Sequence, residues 1–364
     1  MVNRVYAKIS LGNLTHNYRL LKRNLENIPL MAVVKANAYG HGALPVTKKL
    51  ASLGITHFGV ASFQEAKTLM DAGIKGSFLV FGITDSYYRE ALTEEGMIQT
   101  VDSYAYASKL KPKNGTIDVH VKLDTGMSRF GIYCHSDKDI DNTLTEILKI
   151  ANLDHIHIDG IYTHFAAAED DSLFTEKQHR LFLEVIGRLK TMDVMIPWKH
   201  TANSAAILNT DLSGINMARS GIALYGYPPV DVYGFLPVMS LYAKIVSIRT
   251  LKKGDTVSYS RIFTAPDAMK IATIAIGYED GYLRLNTNKD YVIYKNTKCR
   301  VLGKICMDAC MIDVTDVPAK TGDFVCVMCE QKDARVLAKN QQTITYEVLT
   351  NMGNRVERVY DDET

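Results

Sequence analysis

The stretch "VVKANAYGHG", Val33 to Gly42, runs two β-branched apolar residues straight into Lys35 and then into a small polar loop with Tyr39 and two glycines. An amine at the end of a core strand sheds part of its hydration shell, which depresses its pKa and makes it a better nucleophile. Other chemistry-bearing side chains also fall at the ends of apolar runs. Lys122, Asp124 and Arg129 close or follow "IDVHVKLD", and His164 lies in "IDGIYTHF". Asn203 and Ser204 end "WKHTANS", and Arg219, Gly221 and Ile222 end or follow "INMARSG". Ser204 and the "SGI" of Ser220 to Ile222 offer a hydroxyl and backbone N–H donors in a small-residue loop, which suits a phosphate. A phosphate on one side and a partly buried lysine on the other suggest a phosphorylated aldehyde held as a Schiff base, and pyridoxal phosphate fits that description. Singly, each element has an ordinary use: a lysine snorkels, a serine caps a helix, a glycine turns the chain. Their collection at strand ends is what points to a site.

From residue 30 to about 222, eight short apolar runs alternate with amphipathic stretches such as Leu44 to Leu53, Phe63 to Ala72 and Thr175 to Met192. Eight successive units predict a (β/α)8 TIM-type barrel rather than an open doubly wound sheet. Barrel active sites gather at the C-terminal ends of the strands, where the residues above fall. A further helix, roughly Leu11 to Leu25, precedes the first strand. After about residue 235 polar and apolar residues alternate and helical periodicity nearly vanishes until the C-terminus. The expected domains are therefore a cofactor-binding barrel over 1–235 and a mainly β domain over 236–364.

The length of 364 residues suits a barrel plus a smaller domain, and an apolar fraction of 47% supports a real core. With 42 basic against 40 acidic side chains, no field favours nucleic acid or an anionic membrane, so the ligand should be a small molecule. The N-terminus lacks a signal-peptide core and no run approaches a membrane span, so the chain reads as cytoplasmic. Six cysteines read as free thiols of a reducing compartment. Cys326 and Cys329 form a CxxC, but on a strand pattern whose positions three apart face opposite sides, so no metal is expected.

The motifs "VVKANAYGHG", "VKLDTGMSRFG", "GIYTHFAAAED", "ANSAA", "NMARSGIALYG", "VSYS", "IGYEDGYLR" and "KICMDACMIDVT" together resemble alanine racemases in order and spacing. The resemblance implies a pyridoxal-phosphate-dependent amino-acid racemase. It also implies a homodimer in which each site joins one subunit's barrel to the other's β domain. Lys35 would be the Schiff-base lysine and one catalytic base, and Tyr259 the base on the opposite face; His164 and Arg219 resemble the network that stabilises its phenolate. Arg219 also matches the arginine facing the pyridine nitrogen, where barrel decarboxylases place a carboxylate. Tyr39, Ser204, Gly221 and Ile222 match phosphate contacts. Arg129 matches an arginine at the substrate carboxylate, and Lys122 a lysine often carbamylated to hold it. Met307 completes the carboxylate site, Asp308 supports it, and Tyr278 and Arg284 match gate residues.

One departure is sharp: aligning "YEV" and "RV" in "YEVLTNMGNRVERVY" puts Asn354 where alanine racemases carry a tyrosine. The same asparagine marks the serine/alanine racemases of vancomycin-resistance systems, which this chain resembles in that feature. The resemblance therefore implies serine as well as alanine turnover and a supply of D-amino acid for peptidoglycan precursors; the alternatives are an ordinary alanine racemase with little serine activity, in which Asn354 is drift in a C-terminal loop, and a pyridoxal-phosphate-binding barrel protein without racemase activity. It also implies either a free cytoplasmic enzyme or the cytoplasmic domain of a membrane-anchored protein.

Overall fold

The computed structural model describes residues 4–362. All eight apolar runs become strands: Leu30–Val33, His57–Val60, Ser77–Val80, Ile98–Val101, Ile117–Asp124, Ile156–Tyr162, Trp198–His200 and Ala218–Ser220. Each pairs in parallel with its successor through the seventh, and the eighth returns to the first with Arg219 opposite Met31. Between the seventh and eighth, Asn216 N–H donates to Lys199 O at 3.1 Å and Arg219 N–H to Ala202 O at 3.0 Å, closing the barrel. The first strand is buried throughout, as expected of a parallel strand covered on both faces.

The intervening helices follow their patterns. Phe63–Asp71 starts on Ser62, whose hydroxyl accepts from Glu65 N–H. Ser172–Thr191 starts on Asp171, and Ile140–Ala151 buries Ile140, Leu144 and Ile147 on one face. Leu11–Leu25 forms the helix expected before the first barrel strand.

The chain divides into two compact units. One comprises Thr15–Ala38 and Ala43–Phe235; the other gathers Tyr39–Gly42, the residues from Leu236 onward and the described residues before Thr15. The second unit is built on an eight-stranded sheet in the order Met269–Ile274, Cys310–Asp313, Thr297–Leu302, Tyr291–Tyr294, Phe324–Met328, Met239–Leu251, Val5–Ser10, Glu357–Asp361. This corrects the boundary drawn at 1–235, because Val5–Ser10 is a strand of this sheet. It pairs antiparallel with Met239–Leu251 and parallel with Glu357–Asp361, and its alternate residues Val5, Ala7 and Ile9 are buried.

A second correction concerns the cysteines. Cys326 and Cys329 are joined in a disulfide, while Cys134, Cys299, Cys306 and Cys310 are free. The strand ends at Met328, and the chain turns back through paired backbone hydrogen bonds between Cys329 and Lys332. The two-residue alternation that would separate the thiols stops one residue before Cys329. Among the described residues no helix is long and apolar enough to cross a membrane.

Candidate active site

Lys35 follows the first barrel strand and is only partly exposed. Burial, and then the Arg129 guanidinium, lower its amine pKa, with Glu65 opposing them. The chain next makes a turn that L-residues avoid. Ala36, Asn37, Ala38 and Tyr39 stand at φ 52°, 54°, 52° and 53°. Left-handed backbone costs such residues about 1–2 kcal/mol each, so the surroundings must impose it. Glu65 accepts from Ala36 N–H at 2.8 Å and Ala61 N–H at 2.7 Å, and Asn37 Oδ1 accepts from Ala43 N–H at 2.8 Å. Strain held this firmly fixes the backbone beside the amine. Tyr39 ends the turn, grouped with the second unit, with its buried ring tilted against Tyr346 at 6.1 Å.

After the seventh strand and at the end of the eighth, which pairs with the first, Ser204 Oγ lies 3.1 Å from Ser220 Oγ and accepts from Gly221 N–H at 3.1 Å and Ala223 N–H at 3.4 Å. Ile222 is buried beside them. Hydroxyls and backbone N–H groups thus converge in a loop of small residues, the donor set a phosphate requires.

Arg219 is 3% exposed and spends its donors on acceptors of the barrel interior. One amino group donates to His200 Nδ1 at 2.6 Å and His200 O at 2.9 Å; the other reaches Thr163 O at 2.9 Å, Thr201 O at 3.0 Å and His164 Nδ1 at 3.2 Å. Among the described residues no carboxylate touches it, and burial pushes its pKa down to about 10, still charged at neutral pH. His164 is held neutral by burial and by the positive charges of Arg219, Arg129, Lys122 and Lys35.

Lys122 is buried, donates to Phe130 O and lies 4.0 Å from the Phe130 ring centroid. Burial, with Arg129 adding, pushes its pKa down to about 8. Asp124 shapes the loop carrying Arg129 by accepting from the N–H groups of Gly126, Met127 and Ser128 at 3.1, 2.9 and 3.0 Å. Sequence reasoning did not single out His200 and His120 inside the barrel; polar residues in otherwise buried strands were the available signal.

The remaining candidates belong to the second unit, on loops tied into one cluster. Tyr259 is 67% exposed, flanked by Ser258, Ser260 and Arg261 at positive φ. Ser258 Oγ donates to Lys304 O at 2.5 Å, and Lys304 Nζ to Ser260 Oγ at 2.7 Å. Tyr278 N–H donates to Cys306 O at 3.1 Å and Glu279 N–H to Met307 O at 3.2 Å. Fully buried Asp280 takes both Arg4 amino groups at 2.7 and 3.0 Å, and Arg355 bonds Asp308 at 2.7 Å. Asn354 precedes Arg355, is exposed, and its side chain makes no hydrogen bond among the described residues. Arg284, Tyr278 and Met307 are likewise exposed. Of the barrel candidates Lys35, Arg129, His164 and Asn203 keep some exposure and the rest are buried, while those of the second unit other than Tyr39 face outward.

Two family models match, "Alanine racemase, N-terminal domain" over residues 9–229 and "Alanine racemase, C-terminal domain" over residues 238–360. Alanine racemase 1 of Caldanaerobacter subterraneus subsp. tengcongensis is 37% identical, over 97% of this chain and 94% of its own. The solved alanine racemase of Clostridium difficile 630 superposes with a TM-score of 0.93 at 35% identity, over 100% of this chain and 97% of its own. That of Bartonella henselae, with covalently bound pyridoxal phosphate, gives 0.88 at 27% identity, over 99% of this chain and 100% of its own. Fold and site together define a pyridoxal-phosphate-dependent racemase, an isomerase built on a (β/α)8 barrel with a β domain. The chain belongs to the alanine racemase family.

Proposed function

We propose that this enzyme racemises both alanine and serine, and that Asn354 carries the serine activity. The residues fit the cofactor: a partly buried amine, a phosphate-type donor loop and a donor-only guanidinium lie at the C-terminal ends of barrel strands one, seven and eight. Lys35 would hold pyridoxal phosphate covalently, Tyr39, Ser204, Gly221 and Ile222 would hold its phosphate, and Arg219 and His164 would lie along its ring. When bound, the group supplies an electron-withdrawing ring that acidifies the substrate Cα–H.

Lys35 Nζ, its pKa lowered by burial, takes the Cα proton on one face; Tyr259 Oη of a second copy returns a proton on the other, and the roles exchange for the reverse direction. Arg219 can only donate, so it would meet the ring nitrogen of the bound group as an acceptor and would leave it without a proton. Arg129 and the Met307 N–H of the second copy take the substrate carboxylate. Lys122 and Asp308 support these two, and Tyr278 and Arg284 line the approach.

The observation behind serine turnover is the exposed, unbonded amide of Asn354 beside the Arg355–Asp308 link, one residue along from Met307. A larger pocket alone would tolerate a hydroxyl, with discrimination of about a hundredfold at most, whereas a positioned amide can bind it. D-serine or D-alanine so formed would supply peptidoglycan precursors, in the manner of vancomycin-resistance systems. A second reading, an alanine racemase with little serine activity, is favoured by relatives at 35–37% identity that are named alanine racemases. The deciding measurement is kcat/KM for L-serine and L-alanine in the wild type and in Asn354→Tyr. We expect serine turnover to fall at least tenfold while alanine turnover is kept; an unchanged ratio leaves the second reading.

A further inference from the structure

We propose that Asp159 and His120 are positioning residues for the reaction, fixing through His200 the orientation in which Arg219 meets the cofactor ring. The inference rests on the reading of Arg219 given above.

The starting point is that a guanidinium has donors only. Arg219 donates to His200 Nδ1 at 2.6 Å, so that nitrogen is bare and the His200 proton sits on Nε2. His200 Nε2 lies 2.8 Å from His120 Nδ1 and therefore donates to it, which puts the His120 proton on Nε2. His120 Nε2 in turn faces Asp159 Oδ2 at 3.4 Å, an acceptor. Each contact allows one direction once Arg219 is placed at one end and a carboxylate at the other. Between two neutral imidazoles alone the order could run either way. The reverse order would aim an Nδ1–H of His200 at the Arg219 donors. Arg219 thus sets the order from one end, and Asp159, as the acceptor at the far end, holds it.

The barrel is shaped around the chain of contacts. A Cβ on Gly160 would lie 2.5–2.6 Å from three His120 ring atoms, so the ring occupies space that only glycine leaves open. The pairing of the fifth and sixth strands shifts register between Val119 and His120. Tyr162 stacks on His200, with centroids 4.8 Å apart and planes 5° from parallel, and its hydroxyl is tied to Thr100 at 3.0 Å. Asp159 keeps 22% of its side chain exposed, so the chain of contacts ends at a hydrated charge. The other charged or titratable groups acting on His120 are Asp118 and Arg219, with His57 and His200 also coupled to it.

The test uses the holoenzyme with 15N-histidine labelling, comparing wild type with Asp159→Leu, Asp159→Glu and His120→Gln. Expected in the wild type is a His200 Nδ1 that stays unprotonated between pH 6 and 9. In Asp159→Leu the His120 Nε2–H loses its acceptor, so we expect mixed His120 tautomers and a weakened His200–His120 bond, faster loss of pyridoxal phosphate on dialysis, and kcat about tenfold lower with KM changed less than about twofold. Asp159→Glu should restore the wild-type tautomer and kcat. If Asp159→Leu does not fold, His120→Gln, which removes the imidazole link but keeps an amide of similar reach, should shift the His200 Nε2–H resonance and give the same loss of kcat and cofactor. Unchanged histidine resonances with unchanged kcat in these variants overturn the proposal. A wild type without pyridoxal-phosphate-dependent racemisation instead overturns the reading of Arg219 and leaves the tautomer result standing by itself.

Discussion

At the scale of single residues, what a side chain can do follows from the charges buried around it. Lys122 sits against Phe130 with two guanidiniums, Arg129 and Arg219, acting on it, and its pKa of about 8 leaves about one amine in ten neutral at pH 7. An ordinary lysine leaves fewer than about one in a thousand. A neutral amine is what adds to carbon dioxide, releasing a proton and leaving a negative carbamate, and a negative group here would relieve the repulsion from Arg129. Because the folded-state pKa lies below the usual value, the reactive fraction grows about tenfold per pH unit up to about pH 8 and then levels off. The protein equilibrated with 13C-bicarbonate should show a carbamate resonance that strengthens from pH 6 to 8 and is absent in Lys122→Met. That variant should lose about tenfold in kcat/KM, the scale of one charge-assisted hydrogen bond. No resonance at pH 8 would exclude the modification. Lys122, Lys35 and Arg219 were legible in the sequence because each interrupts an apolar run at a strand end. The His120–His200–Asp159 link was not, since it depends on which positions of three separate strands face the barrel interior and on a register shift between two of them.

At the scale of elements, locally encoded features were legible and those set by distant partners were not. The eight barrel strands announce themselves as continuous apolar runs, and Leu11–Leu25 by its periodicity. Val5–Ser10 is six residues long and acquires its place from Met239–Leu251 and Glu357–Asp361, more than two hundred residues away. The left-handed turn after Lys35 is equally silent: alanines at φ 52° carry no local preference for that conformation. Its exit does have a sequence mark in Gly40 and Gly42. Gly42 stands at φ +97°, and a Cβ there would come within 1.9 Å of Tyr360 Oη and 3.0 Å of Tyr360 Cζ. Gly42→Ala should therefore destabilise the fold by about 2 kcal/mol or more, combining backbone strain with a clash. Tyr360→Phe in the same chain removes the closest atom and should recover the steric part only. Urea unfolding of the two single variants and the double would show this as a coupling energy, and strict additivity would place the cost wholly in the backbone.

At the scale of the whole molecule, the two sets of candidate residues differ in their surroundings. In the barrel Ser204, Arg219 and Lys122 are buried, whereas Tyr259, Tyr278 and Met307 of the β unit are 67, 37 and 49% exposed, with Ile262 and Leu285 at 43 and 51%. Large apolar and aromatic side chains left outward on hydrogen-bonded loops form a surface that another protein surface would cover. A second copy of the chain is the occupant we propose, since a racemase needs a proton donor on each face of the substrate. If each site takes Lys35 from one subunit and Tyr259 from the other, Lys35→Ala and Tyr259→Phe homodimers are both inactive. A mixed dimer then holds one site with both defects and one with neither. Random exchange of equal amounts makes about half of the dimers mixed, so activity should rise from background to about a quarter of the wild-type value per subunit. Differently tagged subunits, purified through both tags, should give about half the wild-type activity per dimer. Background activity in that doubly tagged fraction would mean that both residues serve the same subunit's site, because a mixed dimer would then contain only sites with one defect each.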